Sequence, residues 1–284
     1  MVIYETAPAK LNLSLDILDK REDGFHEVEM LMTTIDLTDR IELKLLDHDD
    51  IKISLESRYV PADERNLAYK AAKALQEKYK INLGAHIKID KEIPVSAGLG
   101  GGSSDAAAVL RGLNRLWSLG LSYDDLALVG AEIGSDVPFC VHNKTALAKG
   151  RGEKLTFVQA PPLSWVVLAK PDIGVSTKNV FKALSLEGIS HPDTNSVLEA
   201  LEKQDLDLLC NHAGNSLEKT TFKLYPEVEH IKKKMLSLGS PMAMMSGSGP
   251  TIYSLFKKES TAKRIYNGLQ GFCDEVYMVR TLKL

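Results

Sequence analysis

The sequence predicts an α+β protein of two domains, and three observations carry that reading. Period-two alternation of apolar and polar residues, the mark of half-buried strands, recurs with the three-to-four-residue spacing of amphipathic helices in both halves of the chain. The length of 284 residues exceeds the ~100–200 residues of one ordinary domain. Pro161-Pro162 is the best boundary signal in the chain and divides 1–160 from 161–284. Beyond it, strands covered by helices suggest a sheet-and-helix sandwich.

The elements follow in order. Ile41, Leu43 and Leu45 alternate with Glu42 and Lys44, which predicts a strand over 41–55. Leu67, Ala71, Leu75 and Tyr79 recur at every fourth position and predict a helix over 66–79. Ile87 and Ile89 against His86, Lys88 and Asp90 predict a strand that Pro94 ends. A glycine loop follows, then a helix over 104–116 with Ala106, Leu110, Leu113 and Trp117 on its buried face. Ser122 with Asp125 forms a capping-box pattern opening a helix through Ile133, and Gly134 is its stop. In the second half the patterns predict a strand over 165–169 and helices over 178–184, 196–209 and 227–238. A strand over 251–256, a helix over 260–269 and a strand over 275–281 complete it.

Composition narrows the function classes. The net charge is −3 and no basic stripe is present, so nucleic acid is not an expected partner. Lys232-Lys233-Lys234 reads as the wet face of a helix. Cys140, Cys210 and Cys273 are odd in number, far apart and without a CxxC, which argues against a disulfide framework or a zinc site and for buried thiols in a reducing compartment. The seven histidines show no metal spacing such as HExxH. Nothing at the start resembles a signal peptide, and no apolar stretch reaches the ~18 residues of a membrane span. The expectation is a cytoplasmic protein with no membrane partner.

The strongest local signal is PVSAGLGGGSSDAA, whose first eleven residues are Pro94, Val95, Ser96, Ala97, Gly98, Leu99, Gly100, Gly101, Gly102, Ser103 and Ser104. Glycines between a strand and a helix let a ligand approach the backbone without meeting a Cβ. Ser103 and Ser104 then start the helix, whose free N–H groups suit phosphate. No Lys follows the glycines as a Walker loop requires, and Ser103 stands where a dinucleotide fingerprint needs its third glycine. A second cluster, MSGSGPT at 245–251, reads alone as a tight turn or a site.

Three polar groups stay open between bland and functional readings. Lys10 and Asn12 share one strand face, either solvated or lining a pocket. Asp136 in IGSDVPF is either a helix cap or a firmly held carboxylate able to take a hydroxyl proton. Phe25-His26 is either a core aromatic beside a surface His or a pair suited to stacking on, and bonding to, a flat ring.

Taken together, PAKLNLSLDI, PVSAGLGGGSSDAA and MSGSGPT resemble the three signature motifs of the GHMP kinases. The segments at 20–41, 133–139 and 146–155 resemble the branch that acts on a cytidine diphosphate substrate, and the resemblance runs over almost the whole chain. It implies a ribosomal-protein-like N-terminal α/β domain holding the loop and a ferredoxin-like C-terminal domain carrying the third motif. It also implies ATP-dependent phosphorylation of an alcohol, with magnesium (Mg2+) as cofactor, in a monomer or homodimer. By the same resemblance the loop is the ATP-phosphate cradle, Asp136 takes the hydroxyl proton and Lys10 favours its ionised form. Asn12 contacts substrate; Phe25, His26 and Phe181 form the cytidine pocket, with Thr177 nearby. Phe25 stands where the family more often has Tyr, and Gly100 where Ala is common; neither change threatens the reading. No magnesium ligand is assigned.

Two other classes compete. A GHMP kinase acting on mevalonate derivatives, homoserine or a sugar would have no need of a base pocket, whereas a family member drifted to another substrate would keep the pockets. A non-catalytic RNA-binding module, suggested by ribosomal α/β domains, conflicts with the acidic balance.

Overall fold

The computed structural model describes residues 1–57 and 59–283. The chain opens with two long strands, β1 (Val2–Lys20) and β2 (His26–Leu46), which are hydrogen-bonded neighbours. Two compact units result: Met1–Ala9, Leu37–Val95 and Gly100–Asn143 form the first, and Lys10–Asp36, Ser96–Leu99 and Lys144–Leu284 the second. They interleave along the chain because β1 and β2 each belong partly to one and partly to the other.

In the first unit come β3 (Ile51–Leu55), α1 (Leu67–Tyr79), β4 (Gly84–Asp90), α2 (Gly101–Leu116), α3 (Tyr123–Ile133) and α4 (Val137–His142). β4 lies antiparallel to β2, with Leu43 opposite Ile87 and Ile41 opposite Ile89, and parallel to β3 on its other side. The single strand expected over 41–55 is therefore two strands. The polar run Asp47-His48-Asp49-Asp50 cannot continue a buried strand, and it crosses over the start of β4. A Cβ on Gly84 would lie 2.1 Å from the Asp50 carbonyl oxygen, so glycine there admits the crossing.

α1 has the expected extent, with the Asn66 side chain capping it at the Ala68 N–H. α2 starts at Gly101, three residues earlier than expected, and Gly100 precedes it in a left-handed conformation (φ 70°). Its residues 104–113 are all buried, not only one face, because α1 and α4 pack on it as well as the sheet. The approach to the sheet is close: a Cβ on Gly112 would meet Leu43 Cδ1 at 2.1 Å. The Ser122–Asp125 capping box and the Gly134 stop of α3 form as the sequence predicts.

The second unit contains β5 (Ala146–Gly150), β6 (Lys154–Phe157), β7 (Trp165–Lys170), α5 (Thr177–Ala183), α6 (Thr194–Glu202), α7 (Leu206–His212), β8 (Gly214–Asn215), α8 (Glu218–Leu224), α9 (Pro226–Ser237), β9 (Met244–Met245), β10 (Ile252–Phe256), α10 (Glu259–Gln270) and β11 (Glu275–Arg280). Strands in the order β11-β7-β10-β9 make an antiparallel sheet covered by α9 and α10. The β5–β6 hairpin pairs with the first part of β2, placing Gly150 opposite Val28. The helix expected over 196–209 divides into α6 and α7. Gln204 takes a positive φ of 52° there, and the Asp205 carboxylate caps α7 at the N–H groups of Asp207 and Leu208. The three cysteines are free thiols, two of them buried. Among the described residues no helix is long and apolar enough to cross a membrane.

Candidate active site

The site begins with the alternation of β1. Leu11 and Leu13 fill the core on one face, which turns Lys10 and Asn12 to the other. That face is not solvated: Lys10 is 4% exposed and Asn12 fully buried. Lys10 Nζ donates to Asn12 Oδ1 at 2.7 Å, and the Gly247 N–H donates to the same oxygen at 3.0 Å. Asn12 Nδ2 is buried with no hydrogen-bond partner among the described residues. A buried amide donor left unmade costs about 1–3 kcal/mol, so this group is suited to an incoming oxygen.

The three motifs meet within the second unit. The Lys10 N–H donates to the Leu99 carbonyl at 2.9 Å, Ser246 Oγ donates to the Gly98 carbonyl at 3.0 Å, and the Thr251 N–H reaches the Ala97 carbonyl at 3.4 Å. A Cβ on Gly98 would stand 2.1 Å from the Ser246 carbonyl oxygen, and one on Gly247 would stand 3.2 Å from Lys10 Nζ. The segment 245–251, ambiguous from sequence, is thus packed against Lys10 and the first half of the loop. Asn215 shapes it by donating through Nδ2 to the carbonyls of Met245 and Gly247, each at 2.8 Å. Tyr253 Oη fixes the backbone of Asn12 at 2.7 Å. Sequence reasoning missed Asn215 and Tyr253, which bear no motif.

The second half of the loop belongs to the first unit and is held by charge. Asp39, fully buried on β2, accepts the N–H groups of Glu92 and Ile93 at 2.7 and 2.8 Å, just before Pro94. Lys91 is ion-paired to Asp39 and to Asp105, the latter at 2.8 Å, so it joins the start of the loop to the first turns of α2. Burial lowers the affinity of Lys91 for its proton, but the charges of Asp105 and Asp39 outweigh it and hold the ammonium above its ordinary range. Burial pushes the Asp105 carboxyl up to about 7, with Asp39 adding to the rise and Lys91 opposing it. Asp105 Oδ1 has no partner among the described residues. An acid inside an alanine-rich helix start is the sequence signal for this cluster, and reasoning from motifs missed it. Ser104 Oγ donates to the Pro8 carbonyl at 2.8 Å, tying α2 to β1. The N–H groups of the first helical turn have no partner within the helix.

Asp136 stands at the N-terminus of α4 but makes no capping hydrogen bond with its side chain. The cap reading therefore does not account for it. Pro138 lies in the first turn and fixes the backbone beside it.

On β2 and α5 the structure brings His26 and Phe181 together, with ring centroids 5.0 Å apart and planes tilted by 44°. Partial burial, with the charge of Lys20 second, holds His26 below its ordinary pKa. Phe25 is half exposed and makes no ring contact with Phe181 among the described residues; the Arg151 guanidinium stands over its ring, 5.0 Å from the centroid. The bland reading of a core Phe does not hold, and His26 is half-buried against Phe181 and not a free surface group. Thr177 Oγ1 and Ser248 Oγ share a hydrogen bond of 2.8 Å, which links α5 to the second glycine segment.

Family models agree with these motifs: GHMP kinases N terminal domain matches residues 66–144 and GHMP kinases C terminal matches residues 197–275. The chain is 57% identical over 282 residues to 4-diphosphocytidyl-2-C-methyl-D-erythritol kinase of Bacillus subtilis (strain 168), covering 99% of this chain and 98% of the relative. The chain belongs to this branch of the GHMP kinases. A relative of the same name from Geobacillus kaustophilus is 58% identical over 97% of this chain and 96% of its own. A crystal structure of 4-(cytidine 5'-diphospho)-2C-methyl-D-erythritol kinase matches with a TM-score of 0.85 at 31% identity, over 99% of this chain and 100% of that one. Homoserine kinase from Cytophaga hutchinsonii shares the fold, with a TM-score of 0.79 at 22% identity over 98% and 94% of the two chains. The chain is therefore a kinase of α+β two-domain fold, and its family implies ATP as phosphoryl donor and a small-molecule acceptor.

Proposed function

We propose that this kinase transfers the γ-phosphoryl group of ATP to the 2-hydroxyl of 4-(cytidine 5′-diphospho)-2-C-methyl-D-erythritol, a step of the non-mevalonate route to isoprenoids. The observation that carries the reading is the meeting of the three motifs around Asn12, whose buried Nδ2 donor has no partner among the described residues. Full-length identity to relatives bearing that name supports the substrate. In this reading Pro94 to Ser104 cradle the phosphates through glycine backbone and the α2 terminus. Asp136 accepts the hydroxyl proton, and Lys10 supplies positive charge beside the reacting oxygens. Asn12 donates to an oxygen of the substrate. Phe25, His26 and Phe181 hold the base, with Thr177 at its margin, and binding energy from that remote end positions the hydroxyl.

Phosphoryl transfer relies on alignment and charge neutralisation, which these residues supply. Magnesium, when bound, would neutralise phosphate charge. Among the described residues no group of three or more His, Cys, Asp or Glu could hold a metal, and no protein ligand is assigned to magnesium. Magnesium of kinases is commonly held by one or two carboxylates with the substrate phosphates. The division into 1–160 and 161–284, a cytoplasmic location and a monomeric or homodimeric state belong to the same proposal.

The test is a coupled ADP-release assay with the cytidine diphosphate substrate beside mevalonate and homoserine. Turnover with the first alone is expected. Asp136→Asn should lower kcat by roughly 10²–10⁴-fold while ATP still binds. A loss below about tenfold would remove Asp136 from the base role.

A further inference from the structure

Arg151 sits at the tip of the β5–β6 hairpin, between two glycines in left-handed conformations, Gly150 (φ 76°) and Gly152 (φ 112°). The tip is fixed beside the start of β2. Gly150 pairs with Val28, its N–H donates to Glu27 Oε1 at 3.1 Å, and the Arg151 N–H donates to Glu153 Oε2 at 2.7 Å. These contacts aim the Arg151 side chain at Phe25, where the guanidinium lies 5.0 Å from the ring centroid. A planar cation over an aromatic face is a favourable stack.

The charge of Arg151 is only partly engaged: it helps hold the Asp23 carboxyl below its ordinary range, as the smallest of the influences on that group. It forms no ion pair among the described residues, although its surroundings are rich in carboxylates. Arg21 takes them instead, with Asp23 at 3.1 Å and Glu27 at 2.6 Å. Asp23 also accepts the Phe25 N–H at 3.1 Å. A half-buried guanidinium stacked on a ring, with its N–H edges unpaired to any acid, is the usual arrangement for gripping an oxyanion with two parallel hydrogen bonds.

We infer that Arg151 binds the diphosphate of the substrate while its plane backs Phe25, making it a specificity residue for the nucleoside diphosphate over the bare nucleoside. The inference rests on the cytidine reading of Phe25, His26 and Phe181. In a nucleoside 5′-diphosphate the phosphates lie about one sugar away from the base, so a cation at the rim of a base pocket meets them. Lys in place of Arg would keep the charge but lose the planar stack and the two-pronged grip.

Calorimetry with cytidine and with CDP tests this, with the ATP site filled by a non-hydrolysable ATP analogue. Wild type should bind CDP more tightly than cytidine. Arg151→Ala should weaken CDP about 10–100-fold, the range for a lost charge-assisted contact, and shift cytidine by less than about threefold. Arg151→Lys should recover part of the loss, and circular dichroism of both variants should match wild type. Equal losses for both ligands, or none for either, would overturn the role while leaving the pocket in place. If wild type binds neither cytidine nor CDP, the pocket reading itself falls and this inference with it.

Discussion

The two halves of the glycine loop carry their glycines for different reasons. At Gly98 the protein itself excludes a side chain: φ is +75° and a Cβ would lie 2.1 Å from the Ser246 carbonyl oxygen and 3.0 Å from that of Gly249. At Gly102 the heavy atom nearest to an added Cβ would be Leu67 Cδ1 at 3.5 Å, an ordinary contact, and no positive φ is required. Gly101 is intermediate, with Ile93 Cγ2 at 3.1 Å and the flexible end of Lys91 at 3.3 Å. Folding explains Gly98. It does not explain Gly102, where alanine would fit and would suit a helix better. Under the proposed function Gly102 leaves the space a phosphate needs, and the comparison sets a packing glycine against a proposed phosphate glycine.

The largest expected effect tests the packing side. Gly98→Ala should destabilise the fold by about 2–5 kcal/mol, combining left-handed strain with overlap on backbone that cannot turn aside. Urea unfolding would measure it. A change below about 1 kcal/mol would mean that 245–251 relaxes away and that the two motifs are not rigidly packed.

Gly102→Ala should do the reverse. Stability should stay level or rise by about 0.5–1 kcal/mol, as for glycine replaced inside a helix. ATP affinity should nevertheless fall by about tenfold or more, because the added methyl group occupies the backbone approach. Calorimetric ATP titration and thermal melts on one sample separate the outcomes. Unchanged affinity with unchanged stability would leave Gly102 without a function.

Much of this was legible in the sequence. Local signals with a single physical meaning held: the capping box of α3, the apolar stripe of α1 and the glycine loop between strand and helix. The losses share a cause. The middle of β1 and the first part of β2 are buried on both faces, so alternation fades there, and the strand lengths of 19 and 21 residues were not visible. The break after β2 depends on how a polar turn crosses Gly84, a tertiary fact. Among site residues, Lys10 and Asn12 were marked by strand alternation and motif. Asn215 and Tyr253 act through hydrogen bonds to backbone carbonyls far away along the chain, and no local pattern announces them. Arg151 lies inside the 146–155 segment that resembles the family, but its stack on Phe25 needs the hairpin register.

The last expected effect, spread over several pH units, sharpens the comparison from its charged side. The first half of the loop is held by backbone hydrogen bonds that do not titrate, the second by Asp39, Lys91 and Asp105. Two carboxylates share one ammonium in a buried place, so a proton is welcome, and Asp105 takes it with a pKa of about 7. In the unfolded chain an aspartate titrates near 4. Between about pH 4 and 7 the folded state therefore binds more protons than the unfolded state, and this group's contribution to stability falls as pH rises. The loss is complete above about pH 7 and relieved below it, with a slope that one proton limits to about 1.4 kcal/mol per pH unit. Asp105→Asn removes the titration and keeps the shape. The stability of wild type relative to Asp105→Asn should accordingly rise as pH is lowered from about 8 to 5. The opposite slope, or parallel curves, would show Asp105 ionised throughout, with Lys91 outweighing burial. The same pH series on wild type and Gly98→Ala, which differ only in the non-titrating half, should give parallel curves.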